Sequence, residues 1–302
     1  MVNGRFRKLV KTTYVVYYNI VTEKGLGLYA LAAGWEYNKM NQDEIITQED
    51  HRIPTVKIGM SSVLGTRKTQ QDVVYSFSRE PLHLAVVCDG MGGLEGGEIA
   101  SRIAAETLAA DFLELDEEED IYSFLRDEAL RLDEQVWNLR GENGEFLDAG
   151  TTIVAVLIRG NELYWMSVGD SRIYQIRNGE ITVLTREHNY RLTLDILLQQ
   201  GRISKEEYDR SQDKAEALIS YLGIGNLRLI DGNKAPILME KGDKFLLCSD
   251  GLYRSMDKEQ IMEQLLRAPD EAGRAAQILT TSVMQRCQRK QDNTSVVLVT
   301  YL

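Results

Sequence analysis

The sequence predicts an α+β domain, and three observations predict it. Apolar or alternating runs of strand length recur between residues 56 and 300, and stretches with helical spacing of apolar residues stand among them. The two kinds do not alternate one for one, as a doubly wound parallel sheet would require. The dipeptide Asn178-Gly179 between two strand-like runs adds a two-residue hairpin turn, the strongest short-range β signal in the chain.

Taken in order, residues 12–33 contain two short Tyr-rich runs around Glu23-Lys24-Gly25, which read as a β-hairpin, and the polar stretch 38–52 reads as a connector. Residues 1–52 are therefore expected to form an extension, and 53–302 the main domain. Strands are expected at 56–64, 73–77 and 83–88, the last apolar enough for a buried position. Ile99, Ile103, Ala104, Leu108 and Phe112 recur at helical spacing and predict a helix over 98–115. The acidic run 116–120 reads as a solvated turn into a second helix, 121–140, ending near Gly141. Strands follow at 152–158, 162–168 and 172–177, with the hairpin leading into 181–184. Residues 190–222 read as two short helices about Gly201. Strands at 237–240 and 244–248, helices at 257–267 and 270–288, and a strand at 294–300 complete the pattern.

The chain has 302 residues, 43% of them apolar and 27% charged, which is ample for a core and excludes wholesale disorder. Its net charge of −11 argues against a nucleic-acid partner, since phosphate binding over a broad surface needs an excess of Lys and Arg. Three Cys give no paired spacing, and Cys88 and Cys248 end apolar runs as small buried hydrophobes do, so a reducing, cytoplasmic setting is expected. Arg5, Arg7, Lys8 and Lys11 precede an apolar stretch that Asn19, Thr22, Glu23 and Lys24 interrupt. Neither a signal peptide nor an integral membrane segment is expected there. The basic, Tyr-rich start instead suggests an arm that docks on a membrane surface or a partner.

The chemistry lies in where Asp occurs. Asp72 opens one apolar run, Asp89, Asp170 and Asp250 close three others, and Asp292 precedes the last. Asp89-Gly90, Gly169-Asp170 and Asp250-Gly251 place glycine beside three of them, which permits tight turns and close approach of a backbone carbonyl to a ligand. Each Asp alone could be a turn or cap residue. Gathered at one sheet rim they would repel unless protonated or neutralised by cations. Oxygen ligands without Cys or His select hard ions such as Mg²⁺ or Mn²⁺, and two such ions about 4 Å apart can activate water for phosphate hydrolysis.

Competing motifs fail. Gly92 to Gly97 has P-loop spacing, but Glu98 stands where the phosphate-holding Lys is needed. Gly169-Asp170-Ser171-Arg172-Ile173 begins like a nucleophile elbow and ends in Ile. Asp89-Gly90-Met91 lacks the second Asp of an aspartyl-phosphate phosphatase. Gly25-Leu26-Gly27-Leu28-Tyr29-Ala30 fits a dinucleotide fingerprint without the βαβ unit that gives it meaning.

Arg67-Lys68-Thr69-Gln70-Gln71-Asp72, Asp89-Gly90-Met91-Gly92-Gly93, Gly150-Thr151-Thr152, Gly169-Asp170-Ser171-Arg172, Ser249-Asp250-Gly251-Leu252 and Asp292-Asn293 occur in this order. Together they resemble the metal-dependent protein phosphatase 2C family in its bacterial form, over about residues 55–302. The resemblance implies a four-layer sandwich, two antiparallel sheets flanked by helix pairs. It implies a serine/threonine phosphatase with two Mn²⁺ or Mg²⁺ ions per active site. Asp89 would bridge the ions, with the Gly90 carbonyl on one and Asp250 and Asp292 on the other. Asp72 would orient the attacking metal-bound water, Arg67 would bind the substrate phosphate, and Asp170 is a candidate ligand of a third ion. A bridging hydroxide would attack phosphorus in line. The implied partners are phosphoprotein substrates, among them a cognate Ser/Thr kinase.

Three departures from the family pattern bear on function. Met91 follows Asp89-Gly90 where animal members carry a His that can protonate the leaving group. Arg254 stands where an acid is frequent, and a cation there disfavours a third metal beside Asp170 and Asp250. Glu187-His188-Asn189 replaces the usual Asp-His-Ser. The alternative reading is a non-catalytic phosphoprotein-binding module that retains the fold; the complete set Asp72, Asp89, Asp250 and Asp292 argues against it.

Overall fold

A computed structural model describes residues 18–22, 25–29, 55–92, 96–268, 271–286 and 290–302. Its strands are β1 (Tyr18–Thr22), β2 (Gly25–Tyr29), β3 (Val56–Val63), β4 (Asp72–Arg79), β5 (Leu82–Gly92), β6 (Ala149–Thr151), β7 (Ile153–Arg159), β8 (Glu162–Val168), β9 (Arg172–Arg177), β10 (Glu180–Val183), β11 (Asp231–Gly232), β12 (Ile237–Leu238), β13 (Lys244–Cys248) and β14 (Thr294–Tyr301). The helices are α1 (Gly96–Glu114), α2 (Ile121–Trp137), α3 (Tyr190–Gln199), α4 (Lys205–Arg210), α5 (Asp250–Tyr253), α6 (Lys258–Arg267) and α7 (Ala272–Arg286).

Two sheets face each other. One runs β10-β9-β13-β14-β3-β1-β2; the other runs β11-β8-β7-β5-β4, with β12 also on β8 and β6 also on β5. Pairing is antiparallel except where Ile20 of β1 meets Ser62 of β3 in parallel. Period-2 alternation explains why the central strands read as unbroken apolar runs: both faces are buried. In β5, Ala85 and Val87 join the core between the sheets, while Leu84, Val86 and Cys88 pack beneath α1 and α2 with Leu108, Phe112, Leu125 and Leu132. In β13, Phe245 and Leu247 face inward, and Leu246 and Cys248 pack with Ile261, Leu265, Leu279 and Val283 of α6 and α7. Helix pair, sheet, sheet and helix pair give the four layers expected.

Local signals account for most boundaries. Asn178 and Gly179 both take positive φ, 52° and 80°, the geometry of a type I′ hairpin turn, and Arg177 pairs with Glu180 across it. Asp120 caps α2 through Ser123 N–H, and Asp257 and Ser204 form capping boxes on α6 and α4.

Several expected boundaries are corrected. The helix expected over 121–140 stops at Trp137, because Asn138 turns back on the Glu134 carbonyl and Leu139 accepts from Leu147 N–H. The strand expected over 152–158 is β7, one residue later, and a short strand β6 that was not expected precedes it; between the two, Thr152 donates its N–H to the Asp89 carbonyl. Residues 211–222 are not a second helix arm beyond a short 3₁₀ turn, Gln212–Lys214. They are pinned by long-range backbone bonds, Tyr190 N–H to Ala217 O, Ile219 N–H to His188 O and Leu222 N–H to Thr151 O. The strand expected at 237–240 keeps only two residues, and α5 and β11 are elements that periodicity does not reveal. The expected hairpin forms as β1 and β2, with Thr22 opposite Gly25; the rest of the extension, including the connector 38–52, lies outside the described residues.

Candidate active site

Several chain segments reach one rim, where β4 and β5 of one sheet meet β13 and β14 of the other. Asp72 is the first residue of β4 and lies directly opposite Asp89 near the end of β5. Asp250 opens α5 immediately beyond β13, and Asp292 stands two residues before β14. Asp170 follows β8 in the turn to β9. Arg67 sits in the loop from β3 to β4 and reaches Asp292, its Nη2 2.5 Å from Oδ2. The structure thus brings Asp72, Asp89, Asp170, Asp250, Asp292 and Arg67 to one rim.

The scaffold under the carboxylates is made of buried hydroxyl and amide groups. Ser249 Oγ donates to Asp72 Oδ2 at 2.7 Å and itself accepts from Ser295 N–H, tying β4 to β14. Asn293 accepts from Gln71 N–H through Oδ1 and donates through Nδ2 to the Leu64 and Thr69 carbonyls, so it fixes the loop that carries Arg67. Thr152 Oγ1 accepts from Asp89 N–H, and Thr151 Oγ1 donates to the Asp89 carbonyl. At Gly90 an added Cβ would lie 2.1 Å from the Gly97 carbonyl, so only glycine lets the end of β5 approach the start of α1 this closely. The sequence reading gave no roles to Ser249, Asn293 and Thr152. Ser249 and Asn293 adjoin Asp250 and Asp292 in sequence, where a small hydroxyl or amide is suited to anchoring a carboxylate, whereas Thr152 lies in a motif without an Asp and meets Asp89 only through the fold.

The same holds for Glu187-His188-Asn189. His188 is fully buried; its Nδ1 accepts from Gly169 N–H, which assigns the proton to Nε2, 3.3 Å from Asp231. Glu187 holds Arg172, and Asn189 donates to Glu187. The triplet therefore fastens the turn on which Asp170 sits.

The electrostatics are those of a site built for cations. Burial pushes Asp72 up to about 6 in spite of the Ser249 hydrogen bond, and Asp292 adds repulsion. Burial, then Asp72, Asp250, Asp170 and Asp292, push Asp89 well above the usual carboxylate range. Burial pushes Asp250 to about 7, with Arg254 opposing and Asp170 adding to the rise. Asp170 is likewise raised by burial against the pull of Arg254. Asp72 Oδ1 is buried without a hydrogen-bond partner among the described residues, an arrangement that costs about 1–3 kcal/mol unless something else satisfies it. A hard divalent cation or its bound water fits this donor set, which is oxygen only. Among the described residues no three carboxylate, imidazole or thiol side chains close on a single point. The Asp residues form an open rim and not a cage, which suits an ion that keeps several waters.

Arg254 completes the rim. Its Nε is 2.7 Å from Asp250 Oδ2, and its Nη2 is 3.6 Å from both Asp170 Oδ2 and Glu216 Oε2. Glu216 is also held by Arg191. A fixed cation thus stands between Asp170 and Asp250 and links them to the segment that follows α4.

Comparison with known proteins identifies the family. Residues 62–283 match the family model described as protein phosphatase 2C. The serine/threonine protein phosphatase PstP of Mycobacterium tuberculosis is 33% identical over 222 residues, 70% of this chain, and the match spans only 39% of that relative's length. The serine/threonine phosphatase stp of Listeria welshimeri is 30% identical over 219 residues, covering 72% of this chain and 83% of the relative. A solved structure of the catalytic domain of PstP in complex with two manganese ions superposes with a TM-score of 0.64 at 28% identity, covering 82% of this chain and 99% of that one. The chain belongs to the protein phosphatase 2C family, in its bacterial form.

Proposed function

We propose that the chain is a metal-dependent serine/threonine protein phosphatase that hydrolyses phosphoserine and phosphothreonine in phosphoproteins with two Mn²⁺ or Mg²⁺ ions. The observation that carries this reading is Asp72 facing Asp89 across a strand pair, with a buried carboxylate oxygen that no group among the described residues satisfies. Asp89 and the Gly90 carbonyl, with Asp250 and Asp292, would hold the ions. When bound, they supply the positive charge that draws in a phosphoester and the acidity that makes water a nucleophile.

This chain's own residues supply the positioning. Asp72, fixed by Ser249, presents Oδ1 to accept a proton of the attacking water and aim it. Arg67 is 58% exposed on its side chain and among the described residues uses only Nη2, on Asp292, which leaves its other N–H groups to fork onto the substrate phosphate. Met91, on β5 just after the rim, cannot donate a proton, so the leaving alkoxide takes its proton from solvent; a loose phosphoryl-transfer transition state needs little such help. Asp170 would hold a third ion only weakly, because Arg254 already neutralises it.

A Ser/Thr kinase activation loop is a fitting physiological substrate. The buried free thiols of Cys88 and Cys248 suit a reducing cytoplasm. Among the described residues no helix is long and apolar enough to cross a membrane. Phosphate release from a phosphothreonine peptide tests the reading: turnover should need Mn²⁺ or Mg²⁺, vanish with excess chelator and return on re-addition. Absence of turnover with Mn²⁺ shown to bind would move the chain to the class of phosphoprotein-binding modules.

A further inference from the structure

Beside the carboxylate rim opens a cavity of about 570 Å³. Its walls carry Arg67, Arg254 and Lys290 against one carboxylate, Asp292, so it holds a surplus of positive charge in a chain of net charge −11. Its floor is already built. Thr66 Oγ1 donates to the Gln291 carbonyl and accepts from Gln291 N–H, Ser255 Oγ bonds Gln291 Oε1 at 2.7 Å, and Gln291 Nε2 donates to the Gly251 carbonyl at 2.9 Å. The buried Gln291 thus joins the loop carrying Arg67 to the start of α5, and the cavity does not depend on a substrate to shape it.

The cations on its walls have donors left over. Among the described residues Arg67 uses one nitrogen on Asp292, and Arg254 uses Nε on Asp250 with Nη2 3.6 Å from Asp170 and Glu216, whereas a guanidinium offers five N–H groups. Lys290 is exposed and has no acidic partner among the described residues. The reaction itself does not require these groups, apart from Arg67: the phosphate to be hydrolysed is handled at the carboxylate rim. Arg67 belongs to both places, so a group in the cavity lies next to the reacting phosphate. Successive residues of an extended peptide are about 3.5 Å apart, so a neighbour one or two positions away can reach it.

We propose that this cavity binds a second anionic side chain of the same substrate, a phosphorylated or acidic residue flanking the phosphoresidue being hydrolysed, so that clustered phosphosites are the preferred substrates. The inference rests on the phosphatase reading and adds a substrate class to it. Forked guanidinium donors match phosphate better than carboxylate, so a second phosphate is preferred to Glu, and Glu to Ala.

The test uses the whole chain with Mn²⁺ and four peptides of one sequence. One carries a single phosphothreonine, one a second phosphothreonine two residues away, one Glu there and one Ala. Wild type should show a kcat/KM about tenfold higher for the doubly phosphorylated peptide than for the Ala peptide, carried by KM, falling at high salt, with Glu between. Lys290→Glu should erase this preference while leaving turnover of the singly phosphorylated peptide and of p-nitrophenyl phosphate within about twofold of wild type. Equal kcat/KM for all four peptides in wild type, or a preference that survives Lys290→Glu, overturns the proposal. If no peptide is hydrolysed, the phosphatase reading falls. Equilibrium binding of the doubly phosphorylated peptide to wild type and to Lys290→Glu then decides the cavity by itself: tighter binding by wild type supports it, and equal binding ends it.

Discussion

Asp72 and Asp243 are both buried carboxylates, 5% and 1% exposed, and the fold treats them in opposite ways. Asp243, at the entry to β13, receives both arms of the Arg177 guanidinium and the Glu240 N–H, so its oxygens are fully matched. Asp231 is treated likewise. Burial works against its charge, but Arg186 and His188 overcome that and hold its carboxyl well below the usual range. At the rim, Asp72 has one hydroxyl partner and an orphaned oxygen, and its nearest strand neighbour is another carboxylate. A paired buried Asp is a staple; a rim of under-satisfied ones is a receptor for positive charge, maintained against stability.

Removing one carboxylate from each region is the strongest way to break the contrast. Asp250→Ala should lower phosphopeptide turnover by about a thousandfold or more, since a charge-stabilising group at the reacting centre is lost. In excess chelator its unfolding midpoint should equal or exceed that of wild type, because a repelling charge has gone; a large drop would mean that Asp250 is a staple after all. Asp243→Ala should do the converse and destabilise by about 2–3 kcal/mol, leaving the Arg177 guanidinium without its buried partner. Denaturant melts would register this, and kcat in Mn²⁺ should hold.

The pH dependence sharpens the contrast with a smaller effect. Asp72 and Asp250, at about 6 and about 7, bind protons in the folded chain over a range where the unfolded chain has released them. Below the unfolded value near 4 the two states are equally protonated, so stability in chelator should fall as pH rises from about 4 to about 7. Mn²⁺ should flatten that slope. Asp231 has the opposite sign: its contribution is complete above the unfolded pKa and is lost as pH falls below it. A chelated protein whose melting temperature is level between pH 4 and 7 would contradict the unbalanced rim. The smallest effect is expected from Arg254→Asp, which exchanges the fixed cation between Asp170 and Asp250 for a further acid. The Mn²⁺ concentration dependence of turnover should change in shape, and an unchanged dependence would mean that Arg254 is incidental to the site.

Much of this was legible in the sequence because the rim Asp residues lie at strand ends, and strand ends are where apolar runs stop. Asp89 and Asp250 are visible for that reason, and the unbroken apolar runs Leu84 to Cys88 and Phe245 to Cys248 mark strands buried on both faces. What could not be read locally is what distant pairing decides. The turn of residues 211–222 depends on backbone bonds to Thr151 and His188, and the two-residue strand β11 exists because Asp231 pairs with Ser167. Periodicity carries no trace of such bonds. Ser249 and Asn293 were in view as letters of a motif, but their partners, Asp72 and Gln71, are set by the meeting of the two sheets.

The Arg67–Asp292 contact joins residues 225 positions apart, and β14 lies between β3 and β13 at the centre of its sheet. During synthesis Asp72 and Asp89 emerge some two hundred residues before the strand that brings Asp292 to them. Closing so long a loop is slow and comes late in folding. A partly made chain therefore carries the facing pair Asp72 and Asp89 without Asp250 and Asp292, and the carboxylate rim is complete only once β13 and β14 are in place.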